Sequence, residues 1–201
     1  MKTKISKIET PQFGTNVYLL ETAKNIIVID PGEAAQSILA AAQKIGKPIV
    51  AVLLTHAHYD HVGAVAPLQT TGARVYLHEE DFKLVGKSGY VFGSVSPDAL
   101  LKGSEQELQF DTAKIKMLHT PGHSAGSVCY IIDDNMFTGD TIFKHEIGRC
   151  DLPSGNLNTM KKTLKSLLDI YRVDGIEYKV LPGHGDSSTL SSECKFNPYA
   201  E

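Results

Sequence analysis

Short, dense apolar runs punctuate the chain, and between them lie stretches whose apolar residues recur with a helical period. Residues 17–20, 26–29, 49–54 and 128–132 are rich in β-branched side chains and read as strands. Most are too continuously apolar to keep a solvated face, so they need cover on both sides. Two amphipathic stretches supply it. Ala35, Ile38, Leu39, Ala42 and Ile45 fall on one helical stripe, and Met160, Leu164, Leu167, Leu168 and Tyr171 fall on another. Pro31-Gly32 before the first, Gly46-Lys47-Pro48 after it and Asp174-Gly175 after the second are the expected punctuation. Strands and helices therefore alternate in both halves, which predicts an α/β fold. No Pro/Gly/Ser-rich linker interrupts the pattern, so residues 1–201 read as a single domain. Residues 86–103, with Gly86, Gly89, Gly93, Pro97 and Gly103, form the longest piece without a period and are predicted to wall a pocket.

Composition narrows the partners. Lys and Arg number 20 against 23 Asp and Glu, a net charge of −3, whereas a nucleic-acid groove wants an excess of cations. A small molecule is the expected partner, not nucleic acid. No apolar stretch approaches the roughly eighteen residues that a membrane span requires. The first residues, MKTKISKIETPQFG, lack the uninterrupted apolar core of a secretory signal, which predicts a cytoplasmic protein. Cys129, Cys150 and Cys194 are odd in number and contain no CxxC pair, so neither a disulfide framework nor a cysteine zinc site is expected.

The decisive pattern is His56-Ala57-His58-Tyr59-Asp60-His61. At this chain's frequencies of His and Asp, those four residues at those offsets arise by chance on the order of once in a thousand such chains. The cluster begins just past a buried strand, where side chains leave the core for the crevice at the strand's carboxyl edge. Three more strand ends deliver similar groups: His123 after Thr120-Pro121-Gly122, Asp140 after Gly139, and His184 after Pro182-Gly183. A glycine precedes each, which suits turns whose backbone comes close to a buried group. Two cations with about three protein ligands each match this count, and His with carboxylate suits zinc, iron or manganese better than magnesium or calcium. His56, His58 and His123 are assigned to one ion, Asp60, His61 and His184 to the other, and Asp140 to a bridging position. A hydroxide shared by two such ions is available near neutral pH and needs no side-chain base. Asp60 is expected to orient it or to move a proton.

On HAHYDH at 56–61, HTPGHS at 119–124, GDTIF at 139–143, GRCDLP at 148–153 and PGHG at 182–185, the sequence resembles the metallo-β-lactamase superfamily. More narrowly it resembles the hydroxyacylglutathione hydrolase (glyoxalase II) branch, and GRCDLP with Asn197-Pro198 resembles its short bacterial members. The resemblance implies a four-layer αββα sandwich of the metallo-β-lactamase type with a dinuclear site between the sheets. It implies the same ligand set position by position, and a metal-dependent hydrolase of small-molecule thioesters with two divalent ions, zinc foremost. Larger members carry a further C-terminal helical region with basic glutathione contacts. Some seventeen residues follow His184 here, so glutathione as the thiol is not carried over. Persulfide dioxygenases resemble the sequence at the same ligand positions and hold one iron, which makes a one-iron oxygenase the alternative. A β-lactam hydrolase fits less well, because zinc β-lactamases usually lack the bridging aspartate.

Other polar residues have blander readings. His78 and His119 lie in or at the end of apolar strands and read as hydrogen-bonded structural histidines. Arg149 is a candidate for binding a substrate carboxylate, and equally for holding its own loop through Asp151. His145 is either a pocket or a solvated loop residue. Cys150, without a paired base, reads as inert. Asp30, at a strand end before Pro31-Gly32, is expected to accept a hydrogen bond from a ligand imidazole. Lys83, Lys87 and Lys102 need no special role.

Overall fold

A computed structural model describes residues 2–87 and 91–200. The first six-stranded sheet runs in the order β1 (Lys4–Glu9), β2 (Asn16–Glu21), β3 (Ile26–Ile29), β4 (Ile49–Leu53), β5 (Arg74–His78) and β6 (Ala99–Leu101). The second half supplies β7 (Glu105–Phe110), β8 (Ala113–His119), β9 (Val128–Ile132) and β10 (Asn135–Gly139). A small hairpin of β11 (Ile142–Phe143) and β12 (Glu146–Ile147) follows, then β13 (Lys179–Pro182) and β14 (Ser188–Thr189). The second six-stranded sheet has the order β14-β13-β10-β9-β8-β7. Six helices among the described residues complete the fold: α1 (Ala35–Ile45), α2 (Tyr59–Val62), α3 (Val65–Gln69), α4 (Glu79–Phe82), α5 (Leu157–Arg172) and α6 (Leu190–Phe196).

Alternation along the strands divides the apolar residues among three cores. Val17, Leu19, Ile26 and Val28 face Ile38 and Ala42 of α1 and Val65 and Leu68 of α3. Their neighbours Tyr18, Leu20, Ile27 and Ile29 point the other way, to Ile115, Met117, Tyr130 and Phe137 of the second sheet. Cys129, Ile131, Met136 and Val180 then meet Met160, Leu164, Leu167 and Leu168 of α5. Three cores between four layers make an αββα sandwich, and they account for strands with no solvated face. Each fully buried Leu, Ile or Val contributes about 1.5–3 kcal/mol, so both sheet faces carry stabilisation.

The helical stripes need one correction. Leu39 is 36% exposed, because the buried face of α1 is centred on Ile38 and Ala42, with Ala35, Ala41 and Ile45 at its margins. Consecutive helical residues lie about 100° apart, which turns Leu39 away. Helix α1 closes on Gly46 at φ 76°, and the side chain of Asn156 caps α5 by accepting from the Thr159 N–H at 2.9 Å. No helix among the described residues is long and apolar enough to cross a membrane.

Candidate metal centre

Topology brings the chemistry to one rim. Strands β3, β4 and β5 are parallel, so Asp30, the turn at 54–58 and His78 with α4 leave the first sheet at the same edge. Strands β8 and β10 are each antiparallel to β9, and β13 is parallel to β10, so all three end on one side of the second sheet. His123, Asp140 and His184 lie in the turns after those three ends. Across the gap, His56 and His58 sit in the turn after β4, and Asp60 and His61 in α2.

The seven residues converge as two groups about one carboxylate. His123 Nε2 lies 3.2 Å from His56 Nε2 and 2.9 Å from His58 Nδ1. His184 Nε2 lies 3.3 Å from both His61 Nε2 and Asp60 Oδ2. Asp140 stands between, with Oδ1 3.4 Å from His61 Nε2 and Oδ2 3.5 Å from His123 Nε2. Metal–nitrogen bonds of about 2.0–2.1 Å in tetrahedral array put donor atoms roughly 3.3 Å apart, so these spacings are those of a coordination edge. Asp140 Oδ1 is also buried without a hydrogen-bond partner, which a buried carboxylate oxygen rarely tolerates. Donor types, spacing and the orphaned oxygen fit a pair of cations.

Hydrogen bonds behind the rings decide which nitrogens face inward. His61 Nδ1–H donates to Asp30 Oδ2 at 3.0 Å, leaving Nε2 to the centre. Thr55 Oγ1 donates to the same oxygen at 2.6 Å and lies 3.0 Å from His56 Nδ1, so Asp30 also orients His56 through Thr55. His123 Nδ1–H donates to the Arg149 carbonyl at 2.7 Å. The glycine before His184 has a steric cause. A Cβ at Gly183 would meet Asp140 Oδ1 and come within 2.8 Å of His61 Cε1.

Electrostatics separates the two groups. Burial, reinforced by the surrounding imidazoles, holds His56 well below the usual histidine range and brings His58 down to about 3. Those rings are neutral and keep their lone pairs. At His61 burial opposes the charge, but Asp140 and Asp30 outweigh it and pull the ring up to about 10. His184 is raised against burial by Asp60 and Asp140, while Asp60, resisting the same burial, is drawn down to about 2 by His184 and His61. The carboxylates thus favour positive charge at the second group, the environment a divalent cation requires.

The remaining sequence candidates scatter. Arg149 forms a bidentate ion pair with Asp151 at 2.7 and 2.8 Å, and also lines a cleft of about 430 Å³ over the centre. Tyr59, Val91, Phe143 and Leu152 line the same cleft. Val91 belongs to the predicted pocket wall, of which residues 88–90, including Gly89, lie outside the described residues. His145 is a turn residue at φ 60° whose ring faces Ser192 Oγ of α6, away from the cleft. His78 and His119 stack at 4.1 Å and bond the carbonyls of Gly103 and Ala125. Lys83 pairs with Glu80 at the surface. Burial raises the Cys150 thiol, keeping it protonated at neutral pH. Two residues escaped the sequence reading. Thr55 was signalled only by standing between a strand and His56. Asp81, one of three consecutive acids, carried no signal that separated it from Glu79 and Glu80, yet it alone of the three is buried.

Comparison with known proteins agrees with this architecture. The model of the metallo-beta-lactamase superfamily matches residues 10–184. Hydroxyacylglutathione hydrolase GloC of Haemophilus influenzae is 32% identical over 208 residues, spanning 97% of each chain. Among solved structures, TTHA1623 in a di-iron-bound form is 34% identical, with a TM-score of 0.82 over 96% of this chain and 99% of that one. BLEG-1, a B3 metallo-beta-lactamase, is 30% identical, with a TM-score of 0.82 over 98% and 99%. This chain belongs to the metallo-β-lactamase superfamily and has its four-layer fold.

Proposed function

We propose that the chain is a dinuclear metal-dependent hydrolase of thioesters, with hydroxyacyl-thiols as its substrate class. The observation that carries this reading is the meeting of two complete donor sets, His56/His58/His123 and Asp60/His61/His184, on either side of Asp140. Each set would hold one divalent cation, zinc foremost, with iron and manganese compatible with the same donors. When bound, such ions supply a water activated near neutral pH and an electrophile for the substrate carbonyl. Asp60 would orient that water or move a proton in the course of the reaction. Arg149 exchanges Asp151 for a substrate carboxylate, keeping a bidentate contact in either state. Val91, Phe143 and Leu152 exclude bulk water from the acyl group. No side-chain acid is needed at the leaving group, because a thiol of pKa about 8.5 departs readily as thiolate, whereas an amine must be protonated. The likeness to GloC, hydroxyacylglutathione hydrolase by name, supports this substrate class.

A one-iron persulfide oxygenase is the alternative and shares the donor positions; the likeness to GloC, together with GRCDLP at 148–153 and Asn197-Pro198, favours the hydrolase. The test offers hydroxyacyl thioesters, glutathione persulfide with oxygen, and a β-lactam to one preparation made without added metal. Thioester cleavage that stops on chelation is expected; oxygen uptake on persulfide with one iron per chain, or lactam cleavage alone, would reverse the assignment. Asp60→Asn weakens an anionic donor of the second set and, compared at full metal loading, should lose about 10²-fold or more in kcat. Unchanged turnover at full loading would remove the role of Asp60.

A further inference from the structure

Asp81 occupies α4, directly after β5, the neighbour of β4 in the first sheet. Its side chain is fully buried and makes three hydrogen bonds. Oδ2 accepts from the Ala57 N–H and from Ser124 Oγ, both at 2.9 Å, and Oδ1 accepts from the Gly126 N–H at 2.6 Å. Ala57 lies between His56 and His58, and Ser124 adjoins His123. One carboxylate therefore ties together the two turns that carry the three-histidine set. The contact is closed to larger groups, since a Cβ at Gly126 would lie 2.8 Å from Asp81 Oδ1. Ser127 Oγ completes the clamp, accepting the Ser124 N–H at 3.1 Å and lying 2.8 Å from Ser124 Oγ. The other set is held differently: His61 rests on Asp30, and His184 on Asp60.

We infer that Asp81 is a positioning residue dedicated to the three-histidine ion: by fixing Ala57, Ser124 and Gly126 it sets the spacing of His56, His58 and His123 without touching them. The physical argument is that imidazole donors on two irregular turns hold a cation tightly only if the separation of the turns is fixed beforehand. This carboxylate is a fixed group shared by both turns. The inference rests on the metal-centre reading above.

The test is zinc titration of the metal-stripped full chain against a chromophoric chelator, with imidazole ¹⁵N spectra of the loaded protein. In Asp81→Asn the amide must turn an N–H toward one of the three donors, which breaks the clamp with little change in volume. One of two zinc equivalents should weaken about 10–100-fold. The signals of His56, His58 and His123 should lose their metal-bound positions, while those of His61 and His184 keep theirs. Glu193→Gln alters an equally buried carboxylate that bonds His145, Ser188 and Asn197 instead, and should leave both equivalents intact. Ser124→Ala removes one contact and should weaken the same equivalent less, so it carries the test if Asp81→Asn does not fold. Unchanged binding in Asp81→Asn, equal loss of both equivalents, or the same loss in Glu193→Gln would overturn the inference. Wild-type protein that takes up no zinc would instead overturn the metal-centre reading beneath it.

Discussion

At the scale of single residues, the centre depends on atoms that only close packing can place. Gly183 is one such case, because even one methyl group would enter the space of Asp140 and His61. Gly183→Ala should fold and yet bind cations at least about tenfold more weakly, measured by metal titration beside a thermal melt. Wild-type affinity in that variant would mean that Asp140 is not where the cations bind. Cys150 presents the opposite expectation. Its thiol is raised by burial and donates to the Gly148 carbonyl at 3.3 Å, so Cys150→Ser should leave thioester turnover within about twofold. Cys129 is fully buried and pushed up to about 12, and should resist thiol reagents until the protein unfolds.

At the scale of elements, the apolar runs were legible because burial on both faces leaves a continuous signature. That signature hides which residue faces which layer: Val17 and Leu19 serve one core, Tyr18 and Leu20 another, though all four look alike in sequence. The edge strand β7 was not legible, because only Leu108 among its six residues is buried and its pattern is polar. Helix α4 was invisible for a related reason, being a single turn of Glu-Glu-Asp-Phe whose one buried acid looks like its neighbours. The proposed ligand residues stood out because turns after buried strands have little other reason to carry so many imidazoles. Their supports, Thr55 and Asp81, act through contacts that no sequence spacing reveals. Helix α5 closes the third core, so Leu164→Ala should cost about 2–5 kcal/mol. Asn156→Ala, which removes its cap, should cost about 1 kcal/mol. Urea melts of metal-free protein measure both, and neither variant should change the number of cations bound.

At the scale of the whole molecule, two sheets face each other across a shared core and open at one rim, where each contributes part of the proposed ligand set. A cation held there would join the two halves of the sandwich and so couple cation binding to folding. Ligand at about 100 times its Kd stabilises a folded protein by about 2.7 kcal/mol, which for a chain of this size raises Tm by roughly 5–10 °C for each ion. Chelation should lower Tm by that amount, and zinc should restore it. The most direct test of the account is the metal-to-chain ratio of protein purified without added metal, then saturated with zinc and dialysed. Two ions per chain is the predicted result; a saturating ratio of one, or none, would contradict it.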